Sequence, residues 1–310
     1  MTYPPALEAS IRRAAARLNA RLGGLPPTLA SRATAWVDAF TKGHGLATAV
    51  MAPASFPMML ALWWAREAVD PNPEPAWVDD LVYSAFPAYL FIRLIDDVMD
   101  GDAGADPKFL PLAGVFHQEF QTALARWFPA DAPFWAEFIR LWDESAAVTV
   151  EDASAASLTE AEFRAVSGRK CLAAGIQVAA VFHRAGQTHR LAGWLALVDE
   201  LSLWHQFGHD LFDWKKDLDH GTVTWFLSEA RRRKDETESV EGWVFRQGMA
   251  WGRSERDRLT QGLADRALAL GIPGLAVYLA EKQALDRERF EAVEAGLAAA
   301  RKLFGLVPPR

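Results

Sequence analysis

The sequence predicts an all-α protein, on three observations. Between Pro and Gly punctuation, almost every segment repeats apolar residues at i, i+3, i+4 and i+7. Runs of alternating β-branched residues are scarce. The composition, 51% hydrophobic and 24% charged, supports a large core and is far from that of a disordered chain.

Taken in order, the first helix is expected from about Ala6 to Leu22, stopped by Gly23-Gly24 and Pro26-Pro27. Helices near Leu29–Lys42 and Phe56–Val69 follow, the second ended by PNPEP at 71–75. A long apolar helix then runs from about Ala76 through Tyr83, Phe86, Tyr89, Phe91 and Leu94 into Asp96. Pro87 should kink or break it, because a mid-helix proline removes a backbone bond and clashes with the turn before. GDAGADPK at 101–108 reads as a loop. Further helices are expected over Pro111–Trp127, Pro133–Glu151 and Glu160–Ala185, the last opened by the capping box Thr159-x-x-Glu162. The longest, His189–Asp219, stops at His220-Gly221, and three more reach Lys302. No repeat, low-complexity tract or composition break marks a second domain, so residues 1–310 read as one helical domain.

Charge narrows the function. With 33 Lys and Arg against 40 Asp and Glu, the net charge is −7, which argues against a nucleic-acid partner, since phosphate binding needs a cationic surface. A single cysteine, Cys171, excludes an intrachain disulfide and a multi-cysteine zinc site. The start lacks the apolar core of a signal peptide, and no uncharged apolar run reaches the ~18 residues of a membrane span, so a cytoplasmic chain without a transmembrane segment is expected. The 13 Trp and 18 Phe exceed what a core of this size needs.

Two acidic clusters stand out on apolar helices. In FIRLIDDVMDGD, Asp96 and Asp100 share a helical face and Asp97 lies beside Asp100 at i+3. Like charges so spaced cost a helix about 0.2–0.5 kcal/mol per pair, and carboxylates beside apolar surface cost more without a compensating cation. Either a metal is bound, or this is a solvated helix end continued by Asp102 and Asp106. Arg93 is expected simply to pair with Asp97 at i+4. In WHQFGHDLFDWKKDLDHG, His209, Asp213 and Asp217 recur at i, i+4 and i+8 in a stripe about 12 Å long, with Asp210 beside it. Leu201, Trp204, Phe207, Leu211, Phe212, Trp214 and Leu218 make the rest of this helix apolar. Oxygen ligands in such a stripe suit a hard divalent ion that keeps waters and shares substrate phosphates. The alternative is an exposed acidic edge partnered by Lys215 and Lys216. His205, one turn before His209, reads as a satisfied histidine on an indole-rich face.

At these residues the chain resembles the class I isoprenoid synthases, the superfamily of trans-prenyl diphosphate synthases and terpene cyclases. LIDDVMD resembles their first aspartate-rich motif. QFGHDLFDWKKD, from Gln206 to Asp217, resembles both the second aspartate-rich motif of the prenyl synthases and the NDxxSxxxE motif of the cyclases. SLTEAEFRAVSGRKCLAAG resembles the stretch where prenyl synthases carry a Lys-Thr pair, with Lys170-Cys171 in that place. The similarity covers about residues 80 to 230.

The resemblance implies a single helical bundle of the terpene synthase type with a central aromatic-lined cavity. It implies Mg²⁺, three ions once diphosphate is bound, held by Asp96, Asp97 and Asp100 on one wall and by His209, Asp213 and Asp217 on the opposite wall. Lys170, with Arg164 or Arg169, would contact phosphate, and Arg289-Phe290 stands about where cyclases carry an Arg-Tyr pair. Relatives often form homodimers. Aromatic faces attract carbocations without trapping them, and Tyr83, Phe86, Tyr89, Trp204 and Phe207 are candidates, each also an ordinary core residue taken singly.

The pattern is not complete. His209 stands where the family has Asp or Asn, and neutral imidazole favours transition ions, which moves the site toward Mn²⁺ or toward Asp210. The loop after Asp100 lacks an Arg-Arg pair, and the amino-terminal half lacks the Gly-Lys-Arg segment that binds isopentenyl diphosphate. One diphosphate substrate is therefore expected rather than two. The leading expectation is a metal-dependent terpene synthase acting on a linear prenyl diphosphate, with a prenyltransferase second and a non-catalytic partner subunit third. A carboxylate-bridged di-iron bundle is disfavoured by the absence of Glu-x-x-His pairs.

Overall fold

The computed structural model describes residues 2–101, 106–153 and 156–303, and within them the side chains of 2–99, 101, 106–151 and 156–296. All regular secondary structure among the described residues is helical: α1 (Pro5–Gly23), α2 (Pro27–Thr41), α3 (Leu46–Val50), α4 (Met58–Val69), α5 (Pro75–Asp100), α6 (Leu110–Ala125), α7 (Phe134–Ala153), α8 (Glu160–Arg169), α9 (Gly175–Arg184), α10 (Leu191–Phe212), α11 (Trp214–His220), α12 (Trp225–Arg233), α13 (Val240–Trp243), α14 (Met249–Leu270) and α15 (Pro273–Leu303). A π-helical segment, Val244–Gly248, joins α13 to α14. No single helix among them is long and apolar enough to cross a membrane.

Local chemistry sets most of the boundaries. Proline opens α1, α2 and α5, where its missing N–H has no intrahelical partner to lose. The capping box at α8 forms in both directions: the Thr159 N–H donates to Glu162 Oε2 at 2.7 Å, and the Glu162 N–H donates to Thr159 Oγ1 at 3.2 Å.

α5 is one helix through Pro87, so the chain does not break there. A short α3 lies between the helices expected near Leu29–Lys42 and Phe56–Val69. Two expectations are corrected. The helix expected over Glu160–Ala185 is two, α8 and α9, separated by Lys170, Cys171 and a 3₁₀ turn at Leu172–Ala174. α9 begins at Gly175, where an added Cβ would lie 2.8 Å from Leu195 Cδ2, so the absence of a side chain there lets the Leu195 side chain of α10 approach closely. The helix expected over His189–Asp219 breaks at Asp213, whose backbone leaves the helical region at φ −100° and ψ 7°. Of the expected loop at 101–108, residues 102–105 lie outside the described residues.

By its contacts the chain divides into two compact units, Thr2–Ala153 with Gly168–Ser202, and Ser154–Ser167 with Leu203–Arg310. In the first, α5 packs on α6 and α1, while α4 and α7 pack on α9. Its core buries Trp77, Phe86, Phe116, Phe120, Phe134, Phe138 and Phe182, each contributing about 1.5–3 kcal/mol of transfer free energy. Asp80, only 2% exposed, is a polar pin in that core. It accepts from Arg17 Nη1 at 2.6 Å, Arg126 Nη1 at 3.0 Å and Trp127 Nε1 at 2.9 Å, tying α5 to α1 and to the end of α6. In the second unit, α14 packs on α15. An aromatic nucleus forms there: Phe163 stacks on Trp225 at 4.9 Å between ring centroids, Phe207 lies 5.1 Å from Trp225, and Trp251 meets Trp225 at 5.4 Å.

Candidate functional site

The first acidic cluster occupies the last turns of α5. The i+4 spacing predicts a pair between Arg93 and Asp97, and Arg93 Nη2 lies 2.5 Å from Asp97 Oδ1. The same guanidinium holds Asp96 Oδ2 at 3.5 Å, so one cation bridges both carboxylates. Asp97 is 8% exposed and Asp96 half-buried. The Asp100 side chain and Asp102 lie outside the described residues. Tyr89, one turn before Arg93, packs edge-on to Phe40 at 5.8 Å, and burial raises its phenol pKa while Arg93 opposes the rise.

The same unit contains Tyr83, Phe86, Arg169 and Lys170. Tyr83 donates its hydroxyl to Glu119 at 2.7 Å and carries the Arg17 guanidinium 3.7 Å above its ring, so both its polar end and one face are engaged. Phe86 is fully buried. Arg169 pairs with Glu151 at 2.8 Å. Lys170 sits half-buried at the break after α8. Burial pushes the neighbouring Cys171 thiol up to about 11 despite a hydrogen bond with Ser202, which keeps it protonated and unreactive.

The second cluster straddles the junction of α10 and α11. Despite the break, the backbone ladder continues at four-residue steps: the Asp213 N–H donates to the His209 carbonyl at 2.8 Å, and the Asp217 N–H to the Asp213 carbonyl at 3.0 Å. The predicted stripe therefore survives in spacing, with Asp213 exposed at its bend and Asp217 half-buried. His209 Nδ1 is 3.6 Å from Asp213 Oδ2, beyond hydrogen-bond range. Burial raises the Asp217 pKa, and the charge of Asp213 adds to the rise. Neither Asp213 nor Asp217 makes an ion pair with Lys or Arg among the described residues, and Lys215 instead pairs with Asp219 at 2.5 Å.

Behind this stripe, His209 Nε2 meets His205 Nε2 at 3.2 Å. Burial first, then His209, Lys282 and Arg256, lower the His205 pKa well below the usual imidazole value and hold that ring neutral. Asp210 is buried and accepts from Gln206 Nε2 at 2.8 Å. Trp204 donates its indole N–H to Thr260 Oγ1 at 2.8 Å, and the Arg256 guanidinium covers its face at 3.5 Å. A positive charge therefore already lies on the π surface that a carbocation would use. Phe207 belongs to the aromatic nucleus. Arg289 stacks 3.9 Å over Phe212, and Arg164 pairs with Glu160 at 2.9 Å on the surface of α8.

Sequence reasoning did not find the residues around Trp204. Arg256 is buried on α14, donates from Nε to Asp286 Oδ2 at 2.9 Å and from Nη1 to the Trp204 carbonyl. It stands among four other charges in RSERDR, and its partner is thirty residues away, so no local pattern marks it. Asp199 was likewise missed. Burial and the charges of Glu144 and Glu200 push its carboxyl up to about 6 against the opposing Arg169 and Arg140.

As to a metal, the carboxylates of Asp213 and Asp217 have the chemistry of hard-cation ligands, whereas Arg93 already occupies those of Asp96 and Asp97. Among the described residues, no three His, Cys, Asp or Glu side chains are gathered closely enough to hold an ion as they stand. No family model matches the chain, and no curated protein matches it.

Proposed function

We propose that the protein is a metal-dependent terpene synthase with a helical fold of the class I isoprenoid type, which ionises one linear allylic prenyl diphosphate. The allylic cation then cyclises, loses a proton or captures water within an aromatic-lined cavity. The observation that carries this reading is the stripe His209, Asp213, Asp217. Its four-residue spacing persists through the bend at Asp213, and neither of its two carboxylates makes an ion pair with Lys or Arg among the described residues, the His209 imidazole lying 3.6 Å from Asp213. Carboxylates so placed repel one another, and a divalent cation offsets that cost.

In this reading Asp213 and Asp217 would hold Mg²⁺, while Asp96 and Asp97, engaged by Arg93, are a second pair of carboxylates with the same ligand chemistry. The bound metal would supply the positive charge that stabilises the departing diphosphate. Lys170 and Arg169 are the candidate hydrogen-bond donors to diphosphate oxygens. His209, a nitrogen donor, biases its own end of the stripe toward Mn²⁺.

One observation favours a second reading, a non-catalytic partner subunit: the Arg93 guanidinium already engages Asp96 and Asp97. Incubating the purified protein with Mg²⁺ or Mn²⁺ and ten-, fifteen- and twenty-carbon diphosphates separates the two. The synthase reading expects a hydrocarbon or alcohol above the no-enzyme control that D213N/D217N abolishes. No product from any substrate would overturn it. Longer diphosphates formed only on adding isopentenyl diphosphate would make the protein a prenyltransferase.

A further inference from the structure

The packing of α14 against α15 leaves a cavity of about 230 Å³ that the reading above does not use. At roughly 30 Å³ per water it holds seven or so waters, enough for a tetrahedral oxyanion with part of its hydration but too little for a prenyl chain. Arg253, Arg256 and Arg287 line it together with Asp257, Asp286 and Gln283.

The charges in this lining do not cancel. Arg256, buried, engages Asp286 through Nε and the Trp204 carbonyl through Nη1, and its Nη2 has no protein acceptor among the described residues. Arg287 is exposed and makes no ion pair among the described residues. Arg253 reaches Glu294 at 3.6 Å, an exposed contact worth little. With Asp286 bound to Arg256, two guanidinium groups and an amide remain at the mouth, opposed within the lining by the carboxylate of Asp257 and, at Arg253, by the exposed contact with Glu294. Guanidinium groups converging on a small cavity match the forked geometry of phosphate oxygens, and a buried guanidinium with an unused N–H is completed by an anionic acceptor.

We infer that the cavity between α14 and α15 is a binding site for a phosphate-sized oxyanion, taken up as free phosphate or as the phosphoryl end of a small metabolite. Arg256 forms its floor, and Arg253 and Arg287 close over the ligand. The site needs no metal and no prenyl group, so it stands or falls independently of diphosphate ionisation.

The test is calorimetric titration of the metal-free full chain with inorganic phosphate and, separately, with glycerol phosphate, each against chloride at equal ionic strength. Saturable binding of phosphate beyond the chloride control is expected, and tighter binding of the ester would identify a phosphorylated metabolite as the source. R253Q/R287Q removes two exposed donors and should weaken binding at least about tenfold, since each charge-assisted hydrogen bond is worth more than one neutral bond. D257N removes the opposing carboxylate and should tighten binding several-fold, a gain that misfolding cannot imitate. Phosphate behaving as chloride does, or affinities unchanged in both variants, would overturn the proposal.

Discussion

Arg93 and Asp97 form an ion pair of 2.5 Å one turn apart on α5, and the same guanidinium reaches Asp96 at 3.5 Å. The most conspicuous acidic motif in the sequence is thus held by a cation from its own helix. A metal at Asp96 and Asp97 must compete with that cation, which makes Arg93 the residue to vary.

Replacing Arg93 by Gln withdraws a charge from a carboxylate that is 8% exposed, and stability should fall by about 1–3 kcal/mol. If the cluster binds metal, millimolar Mg²⁺ should recover part of the loss in R93Q and do less for the parent. Thermal melts of both proteins with and without Mg²⁺ measure this. Equal responses would count against a metal role for Asp96 and Asp97.

Asp199 should make stability depend on pH in the direction opposite to that of a salt-bridged carboxylate. Its folded-state pKa is raised to about 6, whereas an unfolded Asp titrates near ~3.9. Between those values the native state binds the extra proton, so this group favours folding most at low pH, and that contribution is lost as pH rises through 6. After allowance for solvent screening the effect is on the order of 1 kcal/mol. D199N should therefore be more stable than the parent at pH 8 and show a flatter profile from pH 4 to 7, read by urea denaturation at each pH. A variant no more stable at pH 8 would contradict this.

The buried pair of Arg256 and Asp286 should behave asymmetrically. R256L leaves Asp286 buried without its cation and strips the Trp204 carbonyl of a donor, so a loss of about 3–5 kcal/mol is expected. Restoring neutrality in R256L/D286L should return a good part of that loss. Denaturant midpoints of the two variants supply the comparison, and equal midpoints would show that the pair is not the source.

Gly252 on α14 sits where a Cβ would come within 2.3 Å of Leu211 Cδ1 and 3.2 Å of Phe226 Cε2. Both neighbours are fully buried, so G252A cannot be relieved by moving a side chain into solvent. It should cost about 1–3 kcal/mol by overpacking, despite the higher helix propensity of alanine. Gly262 on the same helix has open space at its Cβ, and G262A should instead stabilise by up to about 1 kcal/mol. Thermal midpoints shifting in the same direction for both would refute the contrast.

Helicity, the segment limits set by Pro and Gly, the capping box at Thr159 and Glu162, and the four-residue spacing of His209, Asp213 and Asp217 were all determined by the sequence alone. These depend on backbone stereochemistry and on periodicity within one turn or a few, which neighbouring residues carry in full. Tertiary structure decided what each polar group faces. It broke the chain at Lys170 and Asp213, kept α5 whole across Pro87, and set Arg256 against Trp204 and Asp286 from distant helices. It also turned Tyr83 toward Glu119 and raised the pKa of Asp199. Pairing and desolvation depend on side chains that meet across long sequence separations, and helical periodicity reports only which face is apolar, never which partner covers it.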